Sequence, residues 1–253
     1  MTNAIETLDD FKRRFEEIKQ MGWVTTHRSG NTGIGKTLED LLGIPENNIQ
    51  QPDFGIYELK SGRSNRNSML TLVTKSPDPE KANSNLLNKF GYYSPRSKDK
   101  THKSLHTTIK FGKDTIIFKT EKTLRPDILK NFKTEHGYLE TLTLISNFGI
   151  EDAFWPIQTI KEVIDEKFGN ELVYVLAESR GSRENEQFKF NQAYLLKGIN
   201  GERIVELIRQ EVICIDIRIG QFADGTAHDH GTAFRIKPSD FEKLFNEKMR
   251  IDE

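Results

Sequence analysis

Pro52-Asp53-Phe54-Gly55-Ile56-Tyr57-Glu58-Leu59-Lys60 has the form P-D-x4-E-x-K, and its reading decides the fold. If Phe54 to Lys60 is a strand, Glu58 and Lys60 lie two residues apart and face the same way. Asp53 then stands at the start of the strand, where a local bend brings its carboxylate beside that of Glu58. Two neighbouring carboxylates repel each other, and a divalent cation relieves that cost. Hard oxygen ligands of this kind suit Mg2+, which keeps several of its waters. The ion acidifies water and neutralises phosphate charge, while Lys60 orients the water and stabilises developing negative charge. That is the equipment of phosphodiester hydrolysis. The plainer alternative is a half-exposed strand with an i, i+2 ion pair. Glu39 strengthens the catalytic reading, because a short helix over Thr37 to Leu42 that packs its leucines on the strand would present Glu39 to the same site. Glu39 is otherwise an exposed residue near a helix N-terminus, where the dipole favours a negative charge.

Outward from this stretch, composition excludes several classes. The 253 residues carry a net charge of −1 and are 35% hydrophobic, with a mean hydropathy of −0.62. No apolar run approaches the roughly 18 residues of a spanning helix. The N-terminal residues are polar, unlike a secretory segment. A single cysteine, Cys214, rules out a disulfide framework and a cysteine-based zinc site. A cytoplasmic protein is expected. The near-zero total hides an asymmetry: residues 60–113 hold twelve basic and three acidic side chains, while the flanking regions are acidic. This block also carries Asn65, Asn67, Asn83, Asn85, Tyr92 and Tyr93. A basic surface with such polar neighbours suits a polyanion, although a solvated, loop-rich face has the same composition.

The periodicity predicts a helix through Leu8, Phe11, Phe15, Ile18 and Met21, with Thr7 as N-cap and Gly22 at its end. Strands are expected at Met69 to Val73, Thr115 to Phe118, Tyr138 to Ile145 and Leu172 to Ala177, and helices at Asn83 to Phe90, Pro156 to Phe168 and Gly201 to Arg209. Val212 to Ile219 alternates, with four isoleucines on one face, as a half-buried strand does. Ser239 to Glu242 reads as a capping box that opens a C-terminal helix. The mixture is α/β or α+β.

Gly30-Asn-Thr-Gly-Ile-Gly-Lys36-Thr37 fits the phosphate-binding pattern G-x-x-x-x-G-K-[ST], and Val212 to Asp216 would serve as the accompanying acidic strand. A nucleoside triphosphatase is therefore an alternative. Against it, the residues before Gly30 are not the continuous apolar run of a buried parallel strand. Farther along, Asp216 and Arg218 lie i, i+2 on the same strand, away from the isoleucines. An exposed Asp/Arg pair is able to read adjacent C and G edges, or is a surface ion pair. His228-Asp-His230 raises zinc, but no further ligand group follows at a useful spacing.

Taken together, Thr32-Gly-Ile-Gly-Lys-Thr-Leu-Glu39-Asp-Leu-Leu42, the Pro52–Lys60 stretch, Leu70-Thr-Leu-Val-Thr-Lys-Ser-Pro77, Asp216-Ile-Arg218-Ile-Gly220 and His228-Asp-His-Gly-Thr-Ala-Phe-Arg235-Ile236 resemble the MvaI/BcnI family of type II restriction endonucleases. The resemblance runs in order from about Gly22 to Ile236. It implies a PD-(D/E)XK nuclease fold, with a central mixed sheet flanked by helices and two lobes around a DNA cleft. The catalytic lobe is expected mainly in 1–120 and the recognition lobe mainly in 121–253. It implies a monomer that uses Mg2+ to cleave double-stranded DNA. Asp53 and Glu58 would hold the metal, Lys60 would complete the catalytic set and Glu39 would be an additional carboxylate. Thr74 and Lys75 would grip phosphates, while Asp216, Arg218, His228, His230 and Arg235 would contact bases. The Thr74-Lys75 and His-Asp-His sequences look more like the MvaI than the BcnI pattern, so a CCWGG target is expected, with CCSGG or CCNGG behind it. A host carrying such an enzyme would need a cognate DNA methyltransferase. The resemblance is weakest over 94–113 and 123–136. A strand-nicking repair enzyme of the same fold, and a DNA-binding module with an inactive site, are the remaining alternatives.

Overall fold

Thr7 opens the first helix as the spacing of apolar residues requires. Its hydroxyl accepts from the Asp10 N–H, and the Asp10 carboxylate accepts from the Thr7 N–H, a reciprocal cap that satisfies two otherwise orphaned donors. Helix α1 (Leu8–Met21) buries Phe11, Phe15 and Ile18 and stops at Gly22. In chain order there follow β1 (Val24–Thr25), α2 (Gly33–Leu42), β2 (Tyr57–Arg63), β3 (Leu70–Thr74), α3 (Ala82–Phe90) and β4 (Tyr92–Tyr93). Next come β5 (Lys103–Ile109), β6 (Thr115–Ile116), β7 (Thr123–Thr134), β8 (Gly137–Ser146), β9 (Gly149–Pro156) and α4 (Ile157–Phe168). The last elements are β10 (Glu171–Arg180), β11 (Gln187–Ile199), α5 (Gly201–Arg209), β12 (Ile213–Gln221), β13 (Ala227–Asp229), β14 (Ala233–Ile236) and β15 (Phe245–Arg250). This computed structural model describes residues 5–45, 52–65, 69–93, 101–169, 171–199 and 201–253. Asn67 lies outside them. Among the described residues no helix is long and apolar enough to cross a membrane.

The chain divides into two compact units, and the division does not fall near residue 120. The first unit takes residues 1–70, 167–200 and 237–253; the second takes 71–166 and 201–236. The first is built on a mixed sheet in the order β1-β11-β10-β2, with β15 also on β11. Among the described residues of this sheet only β2 and β10 run parallel, pairing Glu58 with Leu172 and Lys60 with Tyr174; the other pairs are antiparallel. One face of this sheet presents Val173, Val175, Phe188, Phe190 and Leu195 to Phe11 and Phe15 of α1 and Leu38 and Leu42 of α2. On the other face the Tyr174 ring meets Phe241, which in turn meets Phe168. The helix-flanked mixed sheet expected from the sequence is thus present in the first unit.

The second unit holds a sheet in the order β3-β14-β12-β5-β4, with β13 on β12, and a separate meander β6-β7-β8-β9. Ile213, Ile215, Ile217 and Ile219 of β12 are all buried.

Three sequence expectations need correction. Helix α2 starts at Gly33, four residues before Thr37. The strand expected from Phe54 starts at Tyr57 and continues to Arg63. The capping box at Ser239 does not form: Pro238–Leu244 is a 3-10 segment without a side-chain cap, and the following residues join β11 as β15 instead of a helix. Pro238 fixes the local φ and the sheet edge recruits Phe245 onward, so tertiary pairing overrides the local pattern.

Phe11 has no exposed surface and stacks on both Phe15 and Phe54. Phe11→Ala is expected to lower the unfolding free energy by about 3–5 kcal/mol, and Thr7→Ala by about 1 kcal/mol, both measurable by urea denaturation.

Candidate active site and base-reading face

The bend that the Pro52–Lys60 stretch needs is a tight turn. Phe54 and Tyr57 exchange backbone hydrogen bonds of 3.2 and 2.8 Å across Gly55 and Ile56. Gly55 has φ +52, and a Cβ there would lie 2.5 Å from the Glu6 carbonyl oxygen, so the turn admits only glycine. Folding back in this way brings the Asp53 Oδ2 to 2.7 Å from the Leu59 N–H, whose hydrogen bond it accepts. Glu58 and Lys60 project from the same face of β2 and form an ion pair, and the Lys60 ammonium also lies 3.3 Å from the Leu59 carbonyl oxygen. The Asp53 carboxyl is raised above its ordinary pKa, first by burial and then by the neighbouring Glu58 charge, against the Leu59 hydrogen bond and Lys60.

Glu39 reaches this neighbourhood from α2. It lines a cavity of about 330 Å3 together with Lys60, Ser61, Arg28, Asn31 and Lys36. Its Oε1 and the Ser61 Oγ flank the same point beside Gly35. Ser61 has the opposite parity to Glu58 and Lys60 on the strand. The cavity therefore wraps the end strand of the sheet, and Glu39 approaches Lys60 from the α2 side.

The phosphate-loop pattern is spent on structure. Gly33 to Thr37 lie inside α2. The Lys36 ammonium is 2.8 Å from Asp40. Thr37 is fully buried, donating to the Gly33 carbonyl and accepting from the His27 N–H. Carbonyl oxygens of Gly30 and Asn31 face the Arg63 guanidinium, which also forms a buried pair with Glu186. The preceding strand β1 has two residues and pairs antiparallel to β11. A triphosphate cradle needs the lysine, the hydroxyl and a parallel strand, so the triphosphatase alternative is set aside.

In the second unit, Asp216 is not the exposed residue expected from the alternation: it is 2% exposed. β12 is flanked by β14 and β5, and side chains from both converge on this carboxylate. The Thr108 hydroxyl donates to Oδ1 at 2.9 Å. Arg218 Nε donates to Oδ2 at 2.9 Å, and Arg235 Nε lies 3.1 Å from the same oxygen. Arg218 and Arg235 are thereby fixed side by side, each partly exposed.

The histidine pair stands next to them. The His230 N–H donates to the Arg218 carbonyl at 2.7 Å. The His230 and His228 rings meet edge to face at 4.5 Å. A Cβ on Gly220 would sit 2.4 Å from the His230 Nε2, so this glycine makes room for the ring. Asp229, between the histidines, accepts from Ser76, Gly231 and Thr232. Burial pushes its pKa up, but these bonds outweigh burial and hold it below the ordinary value. Among the described residues no group of three or more His, Cys, Asp or Glu suited to a metal is found, and Asp229 is committed to its turn, which removes the zinc alternative here. Thr74 and Lys75 are tied to the same loop: the Lys75 N–H donates to the Thr232 carbonyl, and the Lys75 carbonyl accepts from Trp155.

The site residues therefore form two sets, Glu39, Asp53, Glu58 and Lys60 in the first unit and Thr74, Lys75, Asp216, Arg218, His228, His230 and Arg235 in the second. Residues 12–245 match the model of the MvaI/BcnI restriction endonuclease family. The chain belongs to this family. Members of the MvaI/BcnI family are restriction endonucleases, which makes this chain a site-specific deoxyribonuclease. A solved restriction endonuclease MvaI–cognate DNA substrate complex is similar at 30% identity and a TM-score of 0.71, over 98% of this chain and 100% of that one. MvaI in the absence of DNA is similar at 30% identity and a TM-score of 0.58, over 99% and 100% of the two chains. No curated protein matches the chain.

Because the Asp53 pKa is raised in the fold, its native carboxyl binds a proton more tightly than the unfolded one does. Its ionisation therefore costs stability as pH rises past the unfolded carboxylate value. Without metal, Asp53→Asn is expected to raise the melting temperature at pH 7, with the gain vanishing below about pH 4. Thermal unfolding in EDTA across that range checks the sign.

Proposed function

We propose that the chain is a Mg2+-dependent type II restriction endonuclease of the PD-(D/E)XK kind, cutting double-stranded DNA at a CCWGG- or CCNGG-like site. The observation that carries this reading is the juxtaposition of Asp53, Glu58 and Lys60 at the turn into β2. The donor set fits Mg2+: two neighbouring carboxylates, one of them harder to ionise because of burial and then because of the other, with no soft ligand beside them. A small ion that retains several waters needs no more side chains than these. Held by Asp53 and Glu58, Mg2+ supplies acidification of water and neutralisation of phosphate charge.

The chain's own residues do the rest. Asp53 is oriented by the Leu59 N–H, so its second oxygen has a defined direction. Lys60, paired with Glu58 on the same face of β2, would orient the nucleophilic water and stabilise the charge that develops on the phosphate oxygens. Glu39 supports the site from the α2 side.

In the second unit, a carboxylate offers about four acceptor positions. Thr108 takes one on Oδ1 and Arg218 one on Oδ2 of Asp216, while Arg235 Nε lies 3.1 Å from Oδ2 as an ion pair without a hydrogen bond, so a position on Oδ1 is left for a cytosine amine. Arg218 and Arg235 then present their terminal nitrogens to guanine O6 and N7. His228 and His230 continue the contact surface, and Thr74 and Lys75 grip the backbone. The enzyme works as a monomer in the cytoplasm, where a cognate methyltransferase protects host DNA.

The decisive experiment incubates unmethylated plasmid with the protein and Mg2+, with an EDTA control, and sequences the ends. Discrete fragments sharing one short site are expected; persistent nicked circles would instead identify a nicking enzyme. Glu58→Ala is expected to lower the cleavage rate by about 10³-fold or more while sparing specific binding in a gel-shift assay. Arg218→Ala is expected to weaken cognate binding by about 1–3 kcal/mol and to leave nonspecific affinity far less changed. Competition binding with a site-substituted duplex measures the difference.

A further inference from the structure

The polar face of the β3-β14-β12-β5-β4 sheet continues past the residues named so far. β5 pairs antiparallel with β12, and the register sets His106 directly opposite Arg218, one step beyond the Thr108–Asp216 pair. Cross-strand partners share a face and lie within side-chain reach. His106 therefore stands beside Arg218 on the side away from the buried isoleucines, and the chain on either side of it supplies Leu105 and Ile109 to the core. Its ring meets His230 edge-on at 6.2 Å, His230 meets His228 at 4.5 Å, and His228 meets Phe222 at 4.3 Å. Four rings thus form a continuous row along one flank of Arg218. His106 ends that row and is exposed.

We infer that His106 is a further specificity-determining residue, whose imidazole contacts a base edge next to the one read by Arg218. This inference rests on the proposed base-reading role of the second unit. Three observations support it. The position is fixed by backbone pairing: the Tyr92 hydroxyl donates to the His106 carbonyl from β4, and β12 pairs it on the other side. The ring does nothing for the core, since it is exposed. Its charge state suits base reading. Partial desolvation by the neighbouring side chains, then Arg218 and then His230, lower its pKa, with Asp216 opposing, so the neutral imidazole, which offers one donor and one acceptor, is favoured. A neutral ring next to two guanidiniums adds a hydrogen-bonding pattern, where another cation would add only phosphate affinity.

The test compares cleavage of the cognate duplex with duplexes substituted at each base pair in turn, for wild type, His106→Ala, His106→Phe, His106→Gln and Arg218→Ala. His106→Ala is expected to lose about tenfold or more discrimination at one base pair, with its melting temperature and its gel-shift affinity for nonspecific DNA unchanged. His106→Phe, which keeps the ring packing, is expected to lose the same discrimination, and His106→Gln, which keeps a donor and an acceptor, to recover part of it. Discrimination by His106→Ala within twofold of wild type at every position would overturn the inference, as would full discrimination by His106→Phe. Arg218→Ala separates the two levels. If it destroys specificity while the His106 variants do not, only the role of His106 falls; if it too leaves preference unchanged, the base-reading role of this face falls with it.

Discussion

Burial of the Asp53 carboxyl beside Glu58, at the edge of a sheet, costs the fold stability, and the packing of the first unit imposes that cost. Asp53 is fixed by a turn of four residues, Glu58 by the parallel pairing of β2 with β10. Neither constraint is local in its support. The turn rests Phe54 on Phe11 of α1, and β2 presents Leu59 to the aromatic and aliphatic core shared by α1, α2, β10 and β11. The buried placement of Asp53 next to Glu58 persists because the surrounding packing over-determines the backbone that carries them.

The second unit applies the same logic with the sign reversed. A buried carboxylate, Asp216, is compensated by two guanidiniums and a hydroxyl. Breaking such a group is costly because one charge would be left unpaired. Arg218 and Arg235 are therefore not free surface cations but members of a fixed array, as pre-organised recognition requires. Glycine at position 220 and the hydrogen-bonded turn around Asp229 seat the histidines beside them.

Much of this was legible in the residues. The heptad-like spacing of α1, its Thr7 cap and its Gly22 stop are local signals, and they correspond to the observed helix. The P-D-x4-E-x-K stretch placed Glu58 and Lys60 on one face of a strand even though the strand begins three positions later than expected, because side-chain parity does not depend on where the strand starts. β7, β9 and β11 were missed because their apolar runs are broken, in β7 by four charged residues and Pro126, in β9 by Glu151 and Asp152, and in β11 by Lys189, Asn191, Gln192 and Lys197; their identity comes from pairing partners, not from periodicity. Burial of Asp216 was hidden for a related reason, since alternation says which face a residue is on but not whether a neighbouring strand covers it. His106 went unread because its only signal is register with β12. The division into units was hidden too: each unit is assembled from separated segments, and no composition shift marks that.

That interleaving has a consequence for how the enzyme comes into being. The strand bearing Glu58 and Lys60 is made early, but its parallel partner β10 lies more than a hundred positions downstream, and the edge strand β15 belongs to the last residues of the chain. A polypeptide can contain Glu39, Asp53, Glu58 and Lys60 and still lack the sheet that aligns them. Pairings of such sequence separation form late. Alignment of Glu58 and Lys60 on the sheet therefore waits for β10 to be in place beside them.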